Sequence, residues 1–570
     1  MGISANNGKS TDKGVENMSA EKTTKRGKPG GGTGGDAPRA GVVRAISEEL
    51  TETLDRIEGE LGGSPDLKIR KLVIGAELPI RAAVVHISGL ADDKTINDFV
   101  IGSLTRVNQA SGQVPDDGSE SLLEFVMERV LESGDAEIKE DWNDIVLAIL
   151  SGDTAILLNG CASAILCATR GGENRAIAEP SMQLVLRGPK DSFVESIGTN
   201  ISLVRRRIKT PKLWMEHLTV GDASKTHVAM LFIQGTVDDK LVDEVRTRIN
   251  KIKIDAILES GYIEELIEDK TFSPFPTIYN TERPDVVAAN LLEGRVVLIV
   301  DGTPFALILP AVFTQFFQSP ADYSQRVDIA ILMRLIRYGS FLILLFGPSM
   351  YIALTTFHYE MIPTVLLISL LAQRENVPFP AFVEALLMEG VFEILREAGI
   401  RMPRAVGQTV SVVGGLILGQ AAVEAGFVTP AMVIVVALTG IASFAIPAYN
   451  MSIAGRIVRF GFMLLAGMFG FYGITLGMIV TIAHMNSLRS FGIPYLSPFV
   501  PLSIREQQDA VLRLPLWFIR PGTVSPARSG ENQTEKGKLI DSGHEDNLAP
   551  AIQTKGETGL MDSQEPEKGG

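Results

Sequence analysis

Residues 338–357 read YGSFLILLFGPSMYIALTTF, a run without a single charged side chain. A helix rises about 1.5 Å per residue, so a run of this length reaches across the roughly 30 Å hydrocarbon core of a bilayer. Further apolar runs follow at 405–423, 427–448 and 460–483, bounded by charges or loop residues such as Glu424, Thr429, Pro430, Arg456 and Arg459. Such clustering predicts a polytopic α-helical transmembrane bundle over 326–505, in preference to the core helices of a large soluble protein. The stretch 363–372 is apolar but too short to cross alone, and is expected as a re-entrant or short span packed against protein.

The rest of the chain has a different texture. With 53 Lys plus Arg against 67 Asp plus Glu, the formal net charge is −14. That acidity argues against a nucleic-acid partner, which would call for a basic field. The mean hydropathy of +0.19 is too high for an ordinary acidic soluble protein, and the apolar runs account for it. Residues 1–40, basic and Gly-rich, and the acidic tail 521–570 have little to bury and are expected to be disordered. The N-terminus lacks an apolar export signal, so the soluble region is expected on the cytoplasmic side.

Between these segments the sequence repeats itself. Residues 84–94, VVHISGLADDK, parallel 230–240, MLFIQGTVDDK. Each reads as a buried strand, a Gly turn and a helix opened by acidic residues that suit the helix dipole. Farther on, GDTAILLNG at 152–160 matches GRVVLIVDG at 294–302 in the same order. The soluble region is therefore read as a duplicated α/β unit, with a first subdomain at 41–195 and a second at 196–325. Asn159-Gly160 and Asp301-Gly302 are turn dipeptides of β-hairpins. Strands at 296–300 and 304–309 explain the apolar run after Arg295 better than a span that would bury Asp301 in lipid.

No Walker loop, nucleophile elbow, HExxH or dinucleotide fingerprint appears, and the histidines do not pair at ligand spacing. The pattern points away from an enzyme and implies no cofactor or metal. Cys161 and Cys167 lie on one strand roughly 20 Å apart, too far to bond, and read as packing residues. The basic run Arg205, Arg206, Arg207 and Lys209 has two readings. It could contact anionic lipid or an acidic partner, but pairing with the protein's own carboxylates is preferred, since Asp191 and Glu195 are near in sequence.

In the apolar region, residues 379–400 place Glu389, Glu393 and Glu397 one above another on a helix. Carboxylates amid so much apolar surface need partners or water. Either the helix lies at the interface with its acidic stripe wet, or the stripe faces an aqueous path that favours cations. The interfacial reading is preferred because Arg396 and Arg401 can neutralise part of the stripe. Gln420 joins these as a candidate membrane-embedded polar residue. Glycines at 415 and 419, and at 467, 470, 473 and 477, allow close helix approach.

Several strings together carry a resemblance. They include Glu179-Pro180, Arg187-Gly188-Pro189-Lys190, the 205–209 run, TERPD at 281–285, DGTPF at 301–305, HYEMIPT at 358–364, FEILREAGIRMP at 392–403, GQAAV at 419–423 and SFGIPY at 490–495. Over 67–501 the chain resembles the A subunits of the GerA family of spore germinant receptors. The resemblance implies a multi-pass subunit in the inner membrane of the bacterial spore, acting with a transporter-like B subunit and a lipoprotein C subunit. It further implies a homo-oligomer within that complex, with an ion-conducting path through this subunit as one possibility. The alternative is a stand-alone membrane carrier with a soluble regulatory domain.

Overall fold

The computed structural model describes residues 46–518 apart from 75–78, 107–118, 128–130, 132–134, 172–178, 186, 403–416, 504–505, 516. The expected disordered segments 1–40 and 521–570, and most of the run 405–423, lie outside the described residues.

The first subdomain is a five-stranded sheet. Helix α1 (Leu50–Glu60) precedes strands β1 (Leu67–Ile74), β2 (Ile80–Ile87) and β3 (Ala136–Lys139). Helix α2 (Trp142–Ser151), β4 (Thr154–Leu158) and β5 (Ala164–Cys167) complete it. Its strand order is β1-β2-β4-β5-β3, antiparallel throughout. Every residue of β4 and β5 is buried, because both faces are covered. Leu54 and Ile57 of α1 and Ile145 and Ile149 of α2 pack with Val85 and Leu157. On the other face Ile96, Val100 and Leu104 meet Val84, Ile156 and Ile165.

The second subdomain repeats this plan. Helix α3 (Ile197–Arg205) leads into β6 (Leu213–Val220) and β7 (Thr226–Ile233). Helices α4 (Asp239–Asn250) and α5 (Ser260–Ile267) precede β8 (Tyr279–Thr281), then α6 (Pro284–Leu292), β9 (Val296–Val300) and β10 (Ala306–Leu309) follow. The order β6-β7-β9-β10-β8 reproduces that of the first sheet strand for strand.

The repeat extends to individual hydrogen bonds. Asp92 and Asp238 each accept the backbone N–H two residues on, from Lys94 at 3.2 Å and Lys240 at 3.0 Å, as helix N-caps. Asn159 accepts from the N–H of Leu50 at 3.2 Å, and Asp301 from that of Ile197 at 3.2 Å. Each thus satisfies a free donor at the start of the helix that opens its own repeat. The glycines that follow hold φ of 87° and 85° and donate to the carbonyls of Glu48 and Glu195. These turns are wider than two residues, since Ile299 pairs with Ala306 and Leu157 with Ala164. The extra residues let the Asn or Asp reach across to the helix.

One face of the second sheet carries the apolar helices. Leu231, Val297 and Ile308 share a continuous core with Val204 and Leu291, and also with Phe341, Leu344, Met451, Met485 and Tyr495. The apolar helices are α7 (Val327–Thr356), α8 (Thr364–Arg374), α9 (Ala381–Arg401), α10 (Pro430–Phe444) and α11 (Tyr449–Ser487). By length and composition α7 and α11 are the two among the described residues that could cross a membrane.

The expected single span 460–483 is divided. Helical geometry breaks at Gly470, where φ is 58° and ψ −136°, and the arms on either side fold back on each other. A Cβ at Gly473 would lie 2.1 Å from the Leu465 carbonyl oxygen, and one at Gly477 would lie 2.8 Å from the Phe462 ring. A straight helix would hold residues eight apart about 12 Å from one another. The glycine spacing read from sequence therefore serves a helical hairpin. Its two ends, at Met451 and Met485, return to the same core on the second sheet. Its tip lies against Phe357 and His358 at the far end of α7.

Candidate functional site

Glu389 and Glu393, four residues apart on α9, share one face, as do Arg456 and Arg459 on the first arm of α11. Packing brings those faces together. Arg459 Nη2 donates to Glu389 Oε2 at 2.6 Å and reaches Glu393 Oε1 at 3.3 Å. Arg456 Nη1 donates to Glu393 Oε2 at 2.7 Å and Arg396 Nη1 to Glu393 Oε1 at 3.0 Å. Arg396 also reaches Ser443 Oγ on α10 at 3.2 Å.

The Arg459 and Glu389 side chains are 1% and 3% exposed, whereas Glu393 is 29% exposed. Three arginines share two carboxylates, so the network carries one excess positive charge when all are ionised. Charges so placed persist only when paired. Even so, Arg459 Nε and Nη1 and Glu389 Oε1 have no hydrogen-bond partner among the described residues.

A second buried carboxylate was not singled out from the sequence. Glu384 is fully buried, and its Oε1 accepts from the Thr429 N–H at 2.5 Å and from the Thr429 hydroxyl. Thr429 caps the N-terminus of α10, so the carboxylate sits where the helix dipole favours negative charge. Tyr351 on α7 shares a hydrogen bond with the same hydroxyl at 3.1 Å. The only local signal was a lone Glu in an apolar helix start.

The remaining candidates are placed elsewhere. Glu397 is exposed and paired with Arg401 at 2.7 Å. Gln420 is exposed and donates to Glu424 at 2.9 Å. The acidic stripe is thus split, with Glu389 and Glu393 turned inward onto arginines and Glu397 outward.

The basic run serves the soluble pair. Arg205 is buried and forks onto Asp66 of the first subdomain at 2.8 and 3.1 Å, with a third bond to the Leu213 carbonyl at 2.8 Å. Arg206 donates to the Gly171 carbonyl at 2.9 Å, and Arg207 pairs with Asp191. Lys209 is exposed. Trp214 lies on Gly62 and donates to the Glu60 carbonyl at 3.2 Å, which continues the same joint.

Neither cysteine is poised for chemistry. Both are buried, and burial pushes the Cys167 thiol up to about 12 and raises that of Cys161. Among the described residues no group of three or more His, Cys, Asp or Glu could hold a metal.

Fold and site together define a protein with a duplicated α/β soluble region set on apolar helices that enclose an ion network. Residues 55–522 match the model of the Bacillus/Clostridium GerA spore germination proteins. The chain is 49% identical to spore germination protein KA of Bacillus subtilis over 497 residues, covering 86% of this chain and 89% of that protein. It is 41% identical to the uncharacterized membrane protein YfkQ of the same organism, covering 85% of this chain and 92% of that protein. Against spore germination protein GerLA of Bacillus cereus the identity is 38%, covering 83% and 95%. The chain belongs to the GerA family of spore germination proteins.

Proposed function

We propose that this chain is the membrane subunit of a nutrient-responsive germinant receptor complex. It would act with a transporter-like B subunit and a lipoprotein C subunit, as a homo-oligomer in the spore inner membrane, with the soluble pair on the cytoplasmic side. The family membership carries the role in germination. The membrane placement draws on α7 and α11 and on the outward-facing side chains of Leu464, Met468, Ile479 and Val480, each at least half exposed.

The buried ion network is the part we assign to gating. A ligand shifts a two-state equilibrium only if it binds one state better. Interlocked carboxylates and arginines on separate helices offer two discrete arrangements, one paired and one opened, whose charges would then face an ion path. Glu393, shared by three arginines, is the pivot of that exchange.

Two measurements test this reading. Spores lacking the gene and its paralogues should fail to release monovalent cations on nutrient addition; unaltered release would sink the receptor role. Replacing Glu389 and Glu393 with Gln should change cation conductance of the reconstituted complex, and unchanged conductance would remove the network from the path. Transport by this polypeptide alone, without partners, would favour a carrier instead.

A further inference from the structure

Where the second arm of α11 returns to the second subdomain, a groove of about 440 Å³ opens, lined by Glu244, Arg248, Asp269, Lys270, Arg489 and Phe491 among others. That volume falls within the range of small-ligand sites. Its acids are already engaged. Arg248 binds Glu244 at 2.8 Å and Asp269 at 2.7 Å, and Asp269 also accepts the Phe491 N–H at 2.7 Å. Lys270 and Arg489 are exposed and have no carboxylate partner among the described residues. Lys270 Nζ donates to Ser487 Oγ at 3.1 Å and Arg489 Nη1 to the Gly492 carbonyl at 3.2 Å. Each side chain has further donors to spare.

The position of the groove specifies the ligand. Ile479, Val480 and Ile482 are exposed on the second arm, and Ser487 follows about 7–8 Å farther along the axis, the depth of a headgroup layer beyond the acyl chains. The loop that bears Lys270 is fixed at that level by its bond to Ser487 and by the contact of Ser273 Oγ with His484 at 3.0 Å. In the same loop Phe272 is fully exposed, with no described residue covering it. An exposed aromatic beside unpaired cations at the end of an apolar helix matches the pattern of interfacial anchoring.

We propose that this groove binds the phosphate of an anionic phospholipid, held by Lys270 and Arg489, with Phe272 seated among the adjoining acyl chains. The proposal rests on the membrane reading above. Its test is native mass spectrometry of the full chain released from nanodiscs of equal phosphatidylglycerol and phosphatidylcholine. Phosphatidylglycerol should be retained in preference. The Lys270→Ala/Arg489→Ala variant should retain it about thirtyfold less, roughly fivefold per cation lost. Lys270→Arg/Arg489→Lys should keep the retention, and Lys225→Ala/Lys251→Ala, at exposed sites elsewhere, should leave it unchanged. Equal retention by wild type and the double alanine variant would overturn the site, as would displacement of the lipid by inorganic phosphate. A chain that never enters the nanodiscs and is released from membranes by alkaline carbonate would overturn the membrane reading itself.

Discussion

Arg459→Leu is the sharpest test of the ion network. Among the described residues Arg459 is the sole ion-pair partner of Glu389, because Arg396 and Arg456 direct their bonds to Glu393. Removing it strands a carboxylate that is 3% exposed and already has one oxygen unpartnered. Losing one member of a buried pair costs about 3–5 kcal/mol. Glu389→Leu should cost less, about 1–3 kcal/mol, since Arg459 keeps Glu393 at 3.3 Å. The Arg459→Leu/Glu389→Leu double variant should be no less stable than Arg459→Leu alone. Both buried charges are then gone, and Glu393 still holds two arginines. The double-mutant cycle should give a coupling of about 2–3 kcal/mol. Denaturant titration of the detergent-solubilised chain, followed by near-ultraviolet circular dichroism, measures it. Strict additivity, or an Arg459→Leu variant as stable as wild type, would refute the assignment of these charges as mutually dependent.

Gly473→Ala should destabilise the helical hairpin by about 1–3 kcal/mol, because its methyl meets the Leu465 carbonyl. Gly461→Ala, with open space around the added atom, should be neutral or slightly stabilising by the same titration. Asp66→Ala should lower the melting temperature of the full chain through a loss of about 3–5 kcal/mol, since it leaves Arg205 buried between the subdomains. Glu264 is pushed up to about 7 by burial and by Glu268 and Glu259. With the folded value above the unfolded one, its stabilising contribution is complete below about pH 4.5 and is lost as pH rises through 7. Glu264→Gln should therefore remove about 2–3 kcal/mol of the stability decline between those limits, read as melting temperature against pH. Cys161 and Cys167 should resist alkylation in the folded protein and react after denaturation, as thiols held protonated by burial would.

Much of the soluble fold is local and hence legible. The paired Asp-Asp-Lys strings are N-caps in both repeats, and the runs of β4, β5, β9 and β10 are buried throughout because both sheet faces are covered. What a local reading could not supply was the second use of Asn159 and Asp301. Their side chains serve helices more than a hundred residues earlier in the chain, so no window around the turn reveals it. The same holds for Arg205, whose partner Asp66 lies 139 residues away.

The apolar region shows the limit more plainly. Hydropathy marks where helices occur but is insensitive to a reversal made by one residue, so 460–483 reads as a single span although the backbone turns back at Gly470. The acidic stripe was legible as a helical periodicity, and its need for partners followed from charge burial. Which carboxylates are paired was decided by helix packing. The sequence alone determined the duplication, the apolar segments and the family to which they belong, because periodicity and strings of residues are properties of the chain. Only the tertiary structure decided that Glu389 and Glu393 face arginines while Glu397 does not, because the direction of a side chain depends on which helix lies opposite.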